Sequence, residues 1–394
     1  MGSLEQTRAI LADLVAFPTV SSESNLEMIV HIAALLGELG ARVDLFHDPG
    51  GHKANLFATL GPADAPGGIV LSGHTDVVPV TDQDWSSDPF VLRESDGRLY
   101  GRGTCDMKGF IAATLAMAPH FAALDLKRPL HFAFTHDEEV GCLGGQALVA
   151  ELAARGQRPA IALIGEPTGM RIVEAHKGCC EYTVAFHGLE GHGSNPPAGV
   201  NAAEAAVRYV ARLLDLAEDL KHRAPADSPF QPPWTTINLG KIAGGHTHNV
   251  IPGRAEVAWE MRPVQAADRA FVTDQMDRHV ADTLLPAMRA VDPGADIVTQ
   301  VIGEVAGLDP MPDSAARALL AELTGQHGAE TAPFSTEAGL FQSLGCAAAV
   351  CGPGFIAQAH KPDEYISFEQ LNQCLAMLRG LADVLTRPAP ADPA

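Results

Sequence analysis

Between Leu71 and Glu166, four apolar runs each end in side chains suited to a metal ion, and this pattern constrains the chain more than any other. The runs are LSGHTDVVPV (71–80), YGRGTCDMKG (100–109), LHFAFTHDEEVGC (130–142) and ALIGEPT (162–168). They deliver His74 and Asp76, then Asp106, then Glu138 and Glu139, then Glu166. Burying so many carboxylates beside Val, Ile and Leu is costly unless cations compensate them. The pattern predicts a two-metal hydrolytic site assembled from strand ends.

The surrounding periodicity predicts an α/β layer with helices on both sheet faces. Ser3 caps a first helix bearing Ile10, Leu11, Leu14 and Val15, which ends near Pro18. A second helix covers about 26–39 and stops at Gly40. Strands ARVDLF, ANLFATL and GGIVLSGHTD follow, then a helix over about 109–123, strand PLHFAFTHDEE, helix GGQALVAELAARG and strand AIALIGEP. From Cys179 the order becomes strand, helix, strand, strand, helix, strand, the ferredoxin-like β-α-β-β-α-β arrangement. Its second helix reads as one unbroken run, AADRAFVTDQMDRHVADTLLPAM. The expected organisation is a catalytic domain of two parts, 1–178 and 307–394, with an inserted domain over 179–306. The second part carries a helix over about 314–323, helix TEAGLFQSLG, strand AAAVCGPG, loop IAQAHKPDEYIS and a last helix from Phe368 to about Leu385. The tail RPAPADPA reads as disordered.

A net charge of −21 argues against nonspecific binding to nucleic acid or to an anionic membrane. No apolar run approaches the roughly 18 residues of a membrane span. The N-terminus lacks a signal-peptide core, and Gln6 stands where myristoylation needs Ser or Thr. Seven cysteines without a CxxC pair point to free thiols in a reducing cytoplasm. There is no P-loop, no HExxH and no GxSxG. GPGFIA contains Pro353 and has no acid about twenty residues on, so it is a poor dinucleotide loop.

Taken singly, the motifs allow more than one role. His74 and Asp76 project to the same side of a strand, so Asp76 could orient the imidazole through its second nitrogen, or the pair could be a polar turn. Asp106, between glycines, could bridge two ions or cap the following helix. Glu138 and Glu139 at a strand end should point to opposite sides, one to metal and one to substrate, unless they form a solvated turn.

Together with EAHKG, PPAGVNA, NVIPG, TEAGLFQ and VCGPGFIAQAHKPDEYI, these motifs make the chain resemble the di-zinc metallopeptidase/deacylase family. That family includes acetylornithine deacetylase, succinyl-diaminopimelate desuccinylase, aminoacylase and glutamate carboxypeptidase. DEEVGCLG, HKG and CGPG…QAHKPDEY look most like its acetylornithine deacetylase branch. The resemblance implies a mixed-sheet α/β catalytic domain of zinc-exopeptidase type with an inserted ferredoxin-like dimerisation domain. It implies two Zn²⁺ per subunit, replaceable by Co²⁺, with His74, Asp106 and Glu166 around one ion and Asp106, Glu139 and His360 around the other. Asp76 would orient His74, and Glu138 would be the general base and acid. A cis peptide would follow Asp106. His192 would stabilise the oxyanion in the partner's site of a homodimer, while Arg262 and Asn249 would contact substrate. For acetylornithine an acid near the distal ammonium would help, and Glu337 in STEAG is the candidate by its own chemistry rather than by the resemblance. The implied reaction is hydrolysis of N2-acetyl-L-ornithine to ornithine and acetate, in arginine biosynthesis; a sibling deacylase, desuccinylase or dipeptidase is the alternative. The chain departs from the family at Gly193, usually Ser, which should loosen its loop, and at His246 and His248 ahead of Asn249.

Overall fold

A computed structural model describes residues 2–389. Most of the tail read as disordered, residues 390–394, lies outside the described residues. The chain forms two compact units. One comprises Met1–Ala175, Leu308–Ala332 and Thr336–Ala394; the other comprises His176–Gly307 and Pro333–Ser335.

In the first unit an eight-stranded mixed sheet runs Arg42–His47, Ala54–Leu60, Leu130–Thr135, Ile69–His74, Ile161–Pro167, Ala347–Gly352, Val173–His176, Glu330–Ala332. Its four middle strands, from Leu130–Thr135 to Ala347–Gly352, are parallel. Every residue in those four is buried, as their continuous apolar runs require. Helix Lys108–Ala122 packs against Leu4–Val15 and Phe368–Leu385, and Leu143–Ala154 packs against Ala338–Ser343. Three helices begin on serine caps, Ser3, Ser314 and Ser367, each accepting from the backbone N–H three residues on. Several short strands have no signal in the sequence. The expected loop IAQAHKPDEYIS, for example, contains Tyr365–Ser367, paired with Arg98–Tyr100.

The second unit holds an antiparallel sheet in the order Thr236–Gly244, Arg254–Arg262, Cys179–His187, Asp296–Val305. Helices Ala202–Lys221 and Ala266–His279 complete the β-α-β-β-α-β order. Alternate residues Tyr182, Val184 and Phe186 enter its core with Tyr209, Leu213 and Trp259. The helix expected to run unbroken through Met288 does not. It ends at His279, continues as a π-helical stretch, Val280–Leu284, and resumes over Leu285–Arg289. Pro286 is the cause, because it lacks an N–H and its ring crowds the carbonyl four residues back.

His131 makes fold stability depend on pH. Burial, aided by Arg42, lowers its pKa to about 4, and the ring stacks on Phe57 at 4.8 Å with Nδ1 2.9 Å from Thr59 Oγ1. The unfolded chain protonates near 6.5, so this contribution is complete above that pH and is lost as pH falls towards 4. It amounts to about 3 kcal/mol. His131→Gln should therefore flatten the fall in unfolding midpoint between pH 7 and 4.5; a fall as steep as in the wild type would refute the assignment.

Candidate metal centre

The candidate site lies at the carboxyl ends of the four parallel strands, where open α/β sheets bind ligands. His74 ends Ile69–His74, Glu138 and Glu139 follow Leu130–Thr135, Glu166 lies near the end of Ile161–Pro167, and His360 follows Ala347–Gly352. Between Ile164 and Pro167, strand Ile161–Pro167 carries one residue more than its partner carries between Val350 and Gly352. This bulge re-aims the chain at Glu166. It requires glycine on both strands: a Cβ at Gly165 would lie 2.0 Å from the Phe110 ring, and one at Gly352 would lie 1.9 Å from the Gly165 carbonyl oxygen.

Asp106 is the centre of the arrangement. Its Oδ1 lies 2.9 Å from His74 Nε2, which is also 3.6 Å from Glu166 Oε1. Its Oδ2 lies 3.4 Å from His360 Nε2, which in turn is 3.1 Å from Glu139 Oε2. One carboxylate therefore faces two imidazole–carboxylate pairs, one through each oxygen. Asp106 does not cap the next helix; that position is Met107, and it has no side-chain cap bond. The Asp106–Met107 peptide is cis.

Two expectations about neighbouring residues need correction. The Asp76 carboxylate does not hold the second nitrogen of His74. That nitrogen, Nδ1, lies 2.9 Å from the Asp76 backbone oxygen, while the carboxylate is 3.7 Å away. The carboxylate instead accepts the Glu138 N–H at 3.0 Å, the Glu139 N–H at 3.3 Å and the Ser21 hydroxyl at 2.7 Å. Asp76 thus orients His74 through its main chain and the Glu138–Glu139 turn through its side chain. Nor does strand alternation set the directions of Glu138 and Glu139. The strand stops at Thr135, and Asp137 takes a left-handed φ of 56°, so strand alternation no longer applies. Carboxylate oxygens of both reach within 4.8 Å of His74.

The electrostatics call for cations. Burial, reinforced by the neighbouring acids, raises the carboxyl pKa of Glu138 and Glu166 well above the usual range, and that of Glu139 less far. Burial also pushes Asp106 upward, but the imidazoles of His360 and His74 outweigh it and hold Asp106 low. Hydrogen bonds to Asp106 and Glu139 lift His360 to about 10. The nearby donors are two imidazole nitrogens and the carboxylates of Asp106, Glu138, Glu139 and Glu166, a nitrogen and oxygen set that fits zinc and related divalent ions.

Glu337 departs from the substrate contact expected of it. It is 1% exposed, accepts the Ser72 hydroxyl at 3.2 Å, and leaves a Cβ at Gly145 only 2.4 Å from its Oε1. In this position the carboxylate is held by the protein's own Ser72 and offers almost no surface to a ligand.

His192, Asn249 and Arg262 belong to the second unit. His192 Nδ1 accepts the Ser194 N–H at 3.2 Å and pairs with the Ser194 hydroxyl at 2.7 Å. Its proton is therefore on Nε2, which is exposed as a donor. Gly193 does not loosen this loop. Its N–H donates to the Asn249 carbonyl at 2.8 Å, and a Cβ there would lie 2.9 Å from the Asn249 backbone. Arg262 pairs with Glu260 at 2.8 Å. His246 and His248 are exposed. Sequence reading missed Ser21, Arg102 and Glu364, whose side chains reach the site only through backbone groups or other side chains.

Residues 70–383 match the family described as Peptidase family M20/M25/M40. The chain is 37% identical over 380 residues to an acetylornithine deacetylase of Myxococcus xanthus, covering 95% of this chain and 96% of that one. It is 36% identical over 360 residues to an acetylornithine deacetylase of Shigella sonnei (strain Ss046), covering 90% and 91%. Its fold matches that of a Bacillus subtilis protein described as a dinuclear metal binding peptidase from the M20 family. The TM-score there is 0.64 at 17% identity, with 98% and 99% of the two chains covered.

Proposed function

The chain belongs to peptidase family M20/M25/M40, and from that premise we propose that it hydrolyses N2-acetyl-L-ornithine to L-ornithine and acetate. The observation that carries the proposal is Asp106, with one oxygen towards His74 and Glu166 and the other towards His360 and Glu139. The two deacetylase relatives then point to the substrate.

His74, Asp106 and Glu166 would hold one Zn²⁺, and Asp106, Glu139 and His360 a second, with Co²⁺ able to substitute. Such a pair, when bound, polarises the acyl carbonyl and acidifies water. Glu138 belongs to neither proposed ligand set and brings a carboxylate oxygen within 4.8 Å of a His74 ring nitrogen. It takes a proton from the attacking water and returns it to the departing amine. Asp76 keeps Glu138 in place by accepting its N–H. The exposed Nε2–H of His192 donates to the oxyanion, supplied from the partner subunit of a homodimer formed through residues 179–306. Arg262 holds the substrate α-carboxylate and Asn249 a neighbouring polar group. No helix among the described residues is long and apolar enough to cross a membrane; the reading places the enzyme in the cytoplasm, in arginine biosynthesis.

A panel of N-acetyl, N-succinyl and N-formyl amino acids and dipeptides, assayed with added Zn²⁺ or Co²⁺, tests the substrate. N2-acetylornithine should exceed every other compound in kcat/KM by about tenfold or more. A succinylated amino acid or a dipeptide leading the panel would replace this reading with a sibling activity on the same site.

A further inference from the structure

Glu364 is buried, 1% exposed, and none of the roles assigned so far uses it. An ionised carboxylate has about four acceptor positions, and here four donors fill them. Oε2 accepts Arg102 Nη1 at 2.7 Å and the Gly103 N–H at 3.0 Å. Oε1 accepts the Cys105 N–H at 2.8 Å and the Asp106 N–H at 3.0 Å. The backbone that presents Asp106 therefore hangs from one side chain. Arg102 extends the connection. Its Nη1 also donates to the Lys361 carbonyl at 3.3 Å, and its Nη2 donates to Gln83 Oε1 at 2.5 Å. Gln83 Nε2 in turn donates to the His360 carbonyl at 2.9 Å.

His360 needs such support. Its side chain is 52% exposed, and its backbone holds a left-handed φ of 61°, which a residue other than glycine seldom adopts. Little packing fixes it, so its place depends on what grips its main chain. The hydrogen-bonded path from the Asp106 N–H through Glu364, Arg102 and Gln83 to the His360 carbonyl joins two residues whose side chains face each other at 3.4 Å.

We infer that Glu364, Arg102 and Gln83 are positioning residues that set the Asp106–His360 separation, and hence the affinity of the His360 side for its cation. This rests on the two-cation reading above. The test uses metal-free full-length protein titrated with Co²⁺, followed by visible absorption and calorimetry. His360→Ala identifies which binding step belongs to the His360 side. In Glu364→Gln the new amide N–H₂ faces donors where an acceptor stood. The His360-side step should weaken about 10–100-fold, the range usual for groups that orient ligands, while the other step moves less. Gln83→Leu alters a partly exposed residue and spares the buried ion pair; it should weaken the same step with an unchanged unfolding midpoint. Wild-type-like titration of Gln83→Leu, or equal weakening of both steps in both variants, overturns the inference. Wild-type protein that binds a single Co²⁺ or none overturns the two-cation reading itself, and this inference with it.

Discussion

Glu138→Gln is expected to bind metal like the wild type and to turn over N2-acetylornithine about 10²–10⁴ times more slowly, the contribution usual for a positioned acid–base group. Glutamine keeps the shape and the backbone N–H that Asp76 accepts, so the turn should hold. What it lacks is the ability to receive and return a proton. Measured kcat and metal content per subunit decide the matter: turnover within tenfold of wild type would remove Glu138 from the chemistry. The same variant tests whether His192 acts across a dimer. Mixed with His192→Ala, it forms hybrid dimers in which one site carries both defects and the other carries neither. If subunits exchange at random, about one site in four regains activity. Recovery that never rises above the two variants alone would confine His192 to its own subunit, or to no catalytic role.

Withdrawing metal should have an effect as large. A cation polarising the scissile carbonyl contributes several kcal/mol. Excess chelator should therefore lower activity by about three orders of magnitude, and Zn²⁺ or Co²⁺ should restore it. Stability should fall as well, because Asp106, Glu138, Glu139 and Glu166 would share one pocket with only the imidazoles of His74 and His360 to offset them. Saturating metal adds about 3–4 kcal/mol to a folded protein, so the unfolding midpoint should drop by roughly 4–7 °C. Activity and midpoint unchanged in chelator would sink the metal reading entirely.

The parts legible in the sequence share one physical property. LHFAF, IVLSG and IALIG are strands buried on both faces, and such strands announce themselves as unbroken apolar runs. The acids at their ends stand out because carboxylates are rare in that setting. The less legible parts depend on main-chain geometry or on return of distant chain. Asp76 turns its carboxylate to two backbone N–H groups, which no residue pattern encodes. Glu138 and Glu139 both reach towards His74 from a turn in which Asp137 is left-handed. Glu364 and Arg102 look like solvated loop charges until the fold sets them 2.7 Å apart. Short strands such as Val173–His176 carry too little periodicity to read. Pro286 did mark the break in its helix, but the apolar spacing around it reads as continuous.

The bulge before Pro167 has a consequence at the level of the gene. Strand side chains alternate strictly, so one residue gained or lost reverses every side chain beyond it. The extra residue between Ile164 and Pro167 is what turns Glu166 towards His74. An in-frame deletion of the Gly165 codon would keep Glu166 in the protein and aim it away from the site. The direction of a ligand is thus written here as a reading length, and losing three nucleotides there would cost as much as losing the glutamate.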